Sequence, residues 1–92
     1  VKFKGERAGK DFIKVTSDKA GATITVKVMN GNSQKASGIV TVKKANEYLK
    51  LTFKKTDGSE YTLQSGDELV IEGTITEKGK TYTSNPYMRL IK

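Results

Sequence analysis

Gly66-Asp67 opens the most constraining stretch of the chain. Beyond it Leu69, Ile71, Gly73 and Ile75 occupy one side of a strict alternation, while Val70, Glu72, Thr74 and Thr76 occupy the other. Alternation with a period of two, entered through a turn-forming Gly-Asp pair, predicts a strand with one dry face and one wet face. A glycine on the dry side predicts a sharp bend or the close approach of another segment.

Such a strand needs partners that repeat its pattern, and much of the chain does so. Val1, Phe3 and Gly5 alternate with Lys2 and Lys4, and Phe12, Ile13 and Val15 form a short apolar run. Ile24, Val26 and Val28 alternate with Thr23, Thr25, Lys27 and Met29, with the β-branched content that strands favour. Residues 39–44 and 48–55 read as a hairpin closed by Ala45-Asn46-Glu47, with Val40, Val42, Leu49, Leu51 and Phe53 facing inward. Residues 30–38 read as a long polar loop. Thr56-Asp57-Gly58-Ser59 is a turn, and residues 77–80 close a hairpin into residues 81–83. The only proline, Pro86, interrupts the chain before a last extended segment. No apolar stretch of helical period is long enough for a helix. The expectation is one all-β domain over residues 1–92, a small barrel or sandwich of about six or seven short strands.

Composition narrows the chemistry more than the fold. At 92 residues and 35% hydrophobic, the chain fills one modest core, and no apolar run is long enough to span a bilayer. It has no cysteine, which excludes disulfides, thiolate nucleophiles and cysteine-based zinc sites, and no histidine, the usual general base and metal ligand. Binding rather than catalysis is therefore expected, with no cofactor or metal. Seventeen Lys and Arg against ten Asp and Glu give a net charge of +7, which attracts polyanions such as nucleic acid, anionic lipid or wall polymer. The same lysines serve solubility and guard strand edges. A chain beginning at Val1 rather than Met is expected where a leader or upstream domain was removed, or where the sequence was trimmed. An extracytoplasmic location follows if a leader was removed, and a cytoplasmic one if nucleic acid is the ligand.

The segment Leu63-Gln64-Ser65-Gly66-Asp67-Glu68-Leu69-Val70-Ile71-Glu72-Gly73-Thr74-Ile75, following an extended hairpin, resembles the Gly-Asp-led strand of OB-fold domains, including exported bacterial ones. The resemblance covers residues 22–92. It implies a five- to seven-stranded barrel, with an immunoglobulin-like sandwich as the alternative. The helix usual between the third and fourth OB strands would be absent or reduced to one turn, because residues 56–65 are short and rich in turn residues. In OB-type domains single strands lie across a sheet, with rings stacking on bases and lysines following phosphates. The corresponding surface here is the outward face of the expected hairpin: Thr41, Lys43, Tyr48, Lys50, Thr52 and Lys54, with Thr25 and Lys27 beside it. Its partner would be a polyanion, single-stranded nucleic acid above all. The competing expectation is an exported interaction domain that contacts a protein or the cell envelope.

Other motifs resolve into turns. Gly79-Lys80-Thr81 matches the end of a phosphate-binding loop, but Thr74 stands where the first glycine is required. Asp57, Glu60, Asp67 and Glu68 cluster around two turns without calcium-loop spacing, so turn-forming or capping roles are expected of them.

Overall fold

A computed structural model describes the whole chain, Val1 to Lys92. Its strands are β1 (Lys2–Lys4), β2 (Phe12–Thr16), β3 (Thr23–Asn30), β4 (Ser33–Thr41), β5 (Leu49–Thr52), β6 (Glu68–Glu77), β7 (Lys80–Thr83) and β8 (Tyr87–Leu90). They form two antiparallel sheets: a small one ordered β1-β2-β5, and a large one ordered β4-β3-β6, with β7 and β8 end to end along the far edge of β6. The all-β expectation holds. No helix is present, and so none that could cross a membrane.

β3 and β6 build the centre because their alternations match in register, Val26 opposite Ile71 and Val28 opposite Leu69. Against them lie Ile13 and Val15 from β2 and Leu51 from β5, and connecting segments add Phe53, Tyr61, Leu63 and Ile91 to one contiguous core. Each fully buried Val, Leu, Ile or Phe contributes about 1.5–3 kcal/mol of transfer free energy. The β3–β4 hairpin turns through Gly31-Asn32, where Gly31 supplies the positive φ (62°) that a tight two-residue turn of matching twist needs.

Three expectations are corrected. Residues 30–38 are not a loop: β4 begins at Ser33 and pairs with β3 on to Thr41, with one bulge at Lys35. Its polar composition hid it, since Ala36 is the only residue of Ser33–Gly38 that is buried. Residues 39–44 and 48–55 are not a hairpin either, because β4 pairs with β3 and β5 pairs with β2. Finally, the sheets do not close into a barrel. On one side they meet at a single bridge, where Ser37 and Lys54 exchange backbone hydrogen bonds of 2.9 and 2.8 Å. On the other side Phe3 and Tyr87 meet ring edge to ring face at 6.2 Å, without a ladder between β1 and β8.

The glycine of the opening stretch has a local task. Ile71 pairs with Tyr87 and Thr74 with Thr83, so residues 84–86 stand opposite residues 72–73 as a bulge. Ser84 seals it: its hydroxyl accepts the Gly73 N–H at 2.9 Å, and its own N–H donates to the Gly73 carbonyl at 2.8 Å. A Cβ on Gly73 would come within 2.5 Å of the Val1 side chain. Close approach, one of the two roles expected of this glycine, is therefore what its position requires.

Candidate functional site

On β1, β2 and β5 the inward side chains are Phe3, Ile13, Val15, Leu49 and Leu51, so alternation turns the lysines of all three strands to the outside. Register then aligns them. Lys4 pairs with Lys14 and Lys14 with Lys50, which makes a row of three directly opposed lysines across the sheet. Strands lie about 4.8 Å apart, so the row spans roughly 10 Å. No carboxylate pairs with it, and the one salt bridge of the chain is elsewhere, between Lys54 and Glu60 at 3.8 Å.

The outer two lysines lean over aromatic rings instead. Lys4 Nζ lies 4.1 Å from the centre of the Tyr48 ring, and Lys50 Nζ lies 4.6 Å from that of Phe12. Lys10 approaches the same Phe12 ring at 5.7 Å. Cation–π contacts at exposed sites contribute about 0.5–1 kcal/mol each, which offsets part of the repulsion along the row. The face thus interleaves cations with rings. Two concavities flank it. Beyond β1 is a shallow hollow of about 290 Å³ lined by Lys4, Gly5, Arg7, Lys10, Phe12 and Lys14. Beyond β5, the seam between the sheets forms a groove lined by Thr25, Ser37, Gly38, Lys50, Thr52 and Lys54, among others.

The residues expected from sequence divide between these places. Tyr48, Lys50 and Thr52 belong to the outer side of the small sheet, and Lys54 stands at the seam with Thr25. Lys27 and Thr41 lie on the outer face of the large sheet, Lys27 between Ser37 and Val70 and Thr41 beside Thr23. Lys43 is exposed in the connection from β4 to β5. The expected single surface therefore splits because its supposed hairpin belongs to two sheets. Lys4, Lys14, Lys10, Arg7 and Phe12 were missed. Their signal was present in the alternation of Lys2 and Lys4 about Phe3 and of Lys14 between Ile13 and Val15, but nothing local announces that β2 pairs with β5.

The acidic turn residues have structural roles. Asp67 is fully buried and accepts three hydrogen bonds: the Tyr61 hydroxyl at 2.7 Å, the Gln64 N–H at 2.9 Å and Asn30 Nδ2 at 3.0 Å. Burial pushes its carboxyl up, but the bonds from Asn30, Tyr61 and Gln64 and the charge of Lys35 outweigh it and hold the group below the usual range. Tyr61 responds in the opposite sense. Burial first, then the bond to a carboxylate, push its hydroxyl up to about 12. Asp57 accepts both the N–H and the hydroxyl of Ser59, which closes the turn and lowers its own carboxyl.

The fold and this face define a small two-sheet β domain with one cationic, ring-bearing side. Compared with models of known families, with curated proteins and with solved structures, the chain matches none.

Proposed function

We propose that this chain is a non-catalytic module that binds polyanions, single-stranded nucleic acid above all, on the outer face of β1, β2 and β5. The observation that supports this reading best is the row Lys4–Lys14–Lys50, unpaired with any acid. Like charges directly opposite one another destabilise a sheet, and a surface serving only solubility interleaves the two signs. Phosphates supply the missing counter-charge, and Tyr48 and Phe12 offer rings to bases at roughly 1–3 kcal/mol per stacked base. A sheet face presents no helix or ribbon to enter a duplex groove, which favours an unpaired strand.

Anisotropy titrations of a labelled single-stranded oligonucleotide across a salt series test this. The logarithm of affinity is expected to fall with that of salt concentration by about 0.7 per phosphate engaged, hence a slope near −2 for three. Lys14→Glu is expected to weaken binding at least roughly tenfold. It should also raise folding stability by about 0.5–1 kcal/mol, because two repulsive cross-strand pairs become attractive. Lys27→Glu makes the same change in net charge on the large sheet and should leave affinity nearly unchanged. Equal losses in both variants would mean a diffuse attraction without a binding face.

One observation favours the second reading, contact with a protein or the envelope. Met88 and Leu90 are 64% and 55% exposed on the outer face of the large sheet, in register with Val70 and Glu68 and with Met29 beyond. Absence of oligonucleotide binding at low salt would leave that apolar face as the better-supported surface.

A further inference from the structure

We infer that the hollow beside β1 is a seat for a terminal phosphate, a dianionic phosphomonoester rather than a phosphate within a chain. The inference rests on the polyanion reading and makes it more specific. Elsewhere on the face each strand offers one lysine to the row, whereas the hollow gathers Lys4, Arg7, Lys10 and Lys14 around a single concavity, with no acid in its lining. With the Lys4 ammonium resting over Tyr48, Arg7, Lys10 and Lys14 alone still exceed what one phosphodiester charge requires. A phosphomonoester carries about −1.5 to −2 at neutral pH and three acceptor oxygens, and a guanidinium forks onto two of them at once.

The backbone that carries these cations is also held in place. Lys4 and Lys14 are paired across the β1–β2 ladder. The loop that carries Arg7 and Lys10 is pinned on the core by Gly9 N–H to the Leu63 carbonyl at 2.8 Å and by Leu63 N–H to the Lys10 carbonyl at 2.7 Å. Lys10 N–H closes the loop on the Arg7 carbonyl at 3.3 Å. The loop's two acids, Glu6 and Asp11, are both absent from the lining, and Glu6 has a buried Oε2 without a hydrogen-bond partner. Phe12 forms an apolar wall of the hollow, with Lys50 over its ring. Because Lys4 and Lys14 belong to both row and hollow, a strand laid along the row reaches the hollow at its end.

The test compares one oligonucleotide sequence with a 5′-phosphate, a 3′-phosphate or neither, alongside inorganic phosphate followed by amide chemical shifts. One phosphorylated end is expected to bind roughly tenfold tighter than the unmodified strand. That ratio should collapse toward one in Arg7→Ala and fall partway in Arg7→Lys, which keeps the charge and loses the fork. Inorganic phosphate should shift the amides of Gly5, Arg7 and Lys10. Equal binding of all three strands with salt-dependent affinity intact would overturn the terminal-phosphate seat and leave the polyanion reading standing. Binding of none of them, with no shifts from phosphate, would overturn both. Localised phosphate shifts without strand binding would keep the seat and assign it to small phosphomonoesters.

Discussion

Asp67→Ala removes about 2–3 kcal/mol of folding stability, read as a lowered urea midpoint with an unchanged slope. The carboxylate sits fully buried at the head of β6, and its loss strands the buried Tyr61 hydroxyl, while Asn30 and Gln64 are exposed enough for their N–H groups to turn to water. A buried donor without a partner costs about 1–3 kcal/mol. That loss, added to two charge-assisted bonds exchanged for water, takes a large share of the roughly 5–15 kcal/mol typical of a domain. Asp67→Asn should cost less, about 1–2 kcal/mol. Its amide oxygen can replace Oδ2, which accepts from both Tyr61 and Gln64, and Asn30 can flip to offer its oxygen to the new amide group. A loss in Asp67→Ala no larger than that of an exposed-site control would mean that the three bonds add nothing net.

The same pair sets the pH limits of stability. Asp67 is held below its usual range in the folded state, so the unfolded chain takes up protons first on acidification. Its contribution is present above the unfolded value near 3.8 and is lost as pH falls through and below it. Tyr61 runs the other way. With its hydroxyl raised from 10 to about 12, its contribution is complete below pH 10 and is lost as pH rises from 10 toward 12. Stability measured against pH should therefore be flat in between as far as this pair is concerned. Tyr61→Phe is expected to remove the alkaline fall and Asp67→Asn to reduce the acid one.

The chemistry of Asp67 was only partly legible in the sequence. Gly66-Asp67 reads as a turn opening a strand, and it is one, but two of the carboxylate's three partners lie 6 and 37 residues away. Local pattern revealed β3 and β6 because each alternates apolar and polar residues over enough positions to fix a face. It failed on β4, an edge strand whose inward positions include Ala36 and Gly38 in place of large apolar side chains. It found Tyr48, Lys50, Thr52 and Lys54 yet assembled the wrong surface around them. Which lysines share a face depends on pairings such as Lys14 with Lys50, and no residue between the two strands specifies that register.

Gly38 is the residue whose importance was least visible, and its replacement gives the second large effect. Gly38 lies opposite Val26, on the inward side of β4, where the large sheet bends onto β5. A Cβ built there meets Leu51 Cδ2 and Leu51 Cγ, and comes within 2.7 Å of the Thr52 carbonyl oxygen. Leu51 is fully buried in the core and cannot swing aside freely, and the carbonyl belongs to backbone. Gly38 is not among the positive-φ glycines, so any penalty is steric rather than conformational. Gly38→Ala is expected to cost about 2–3 kcal/mol and Gly38→Val more, within the range for overpacking a filled core. The strain should appear first at the seam, because the Ser37–Lys54 bridge is the one backbone link between the sheets. Amide exchange at Ser37 and Lys54 should accelerate in Gly38→Ala well before that of Val26 at the centre of the large sheet. Lys54 and Thr52 would move with β5, so oligonucleotide affinity should fall as well, although no charge has changed. A Gly38→Ala protein with wild-type melting temperature and seam exchange would show that the two sheets do not approach this closely in solution.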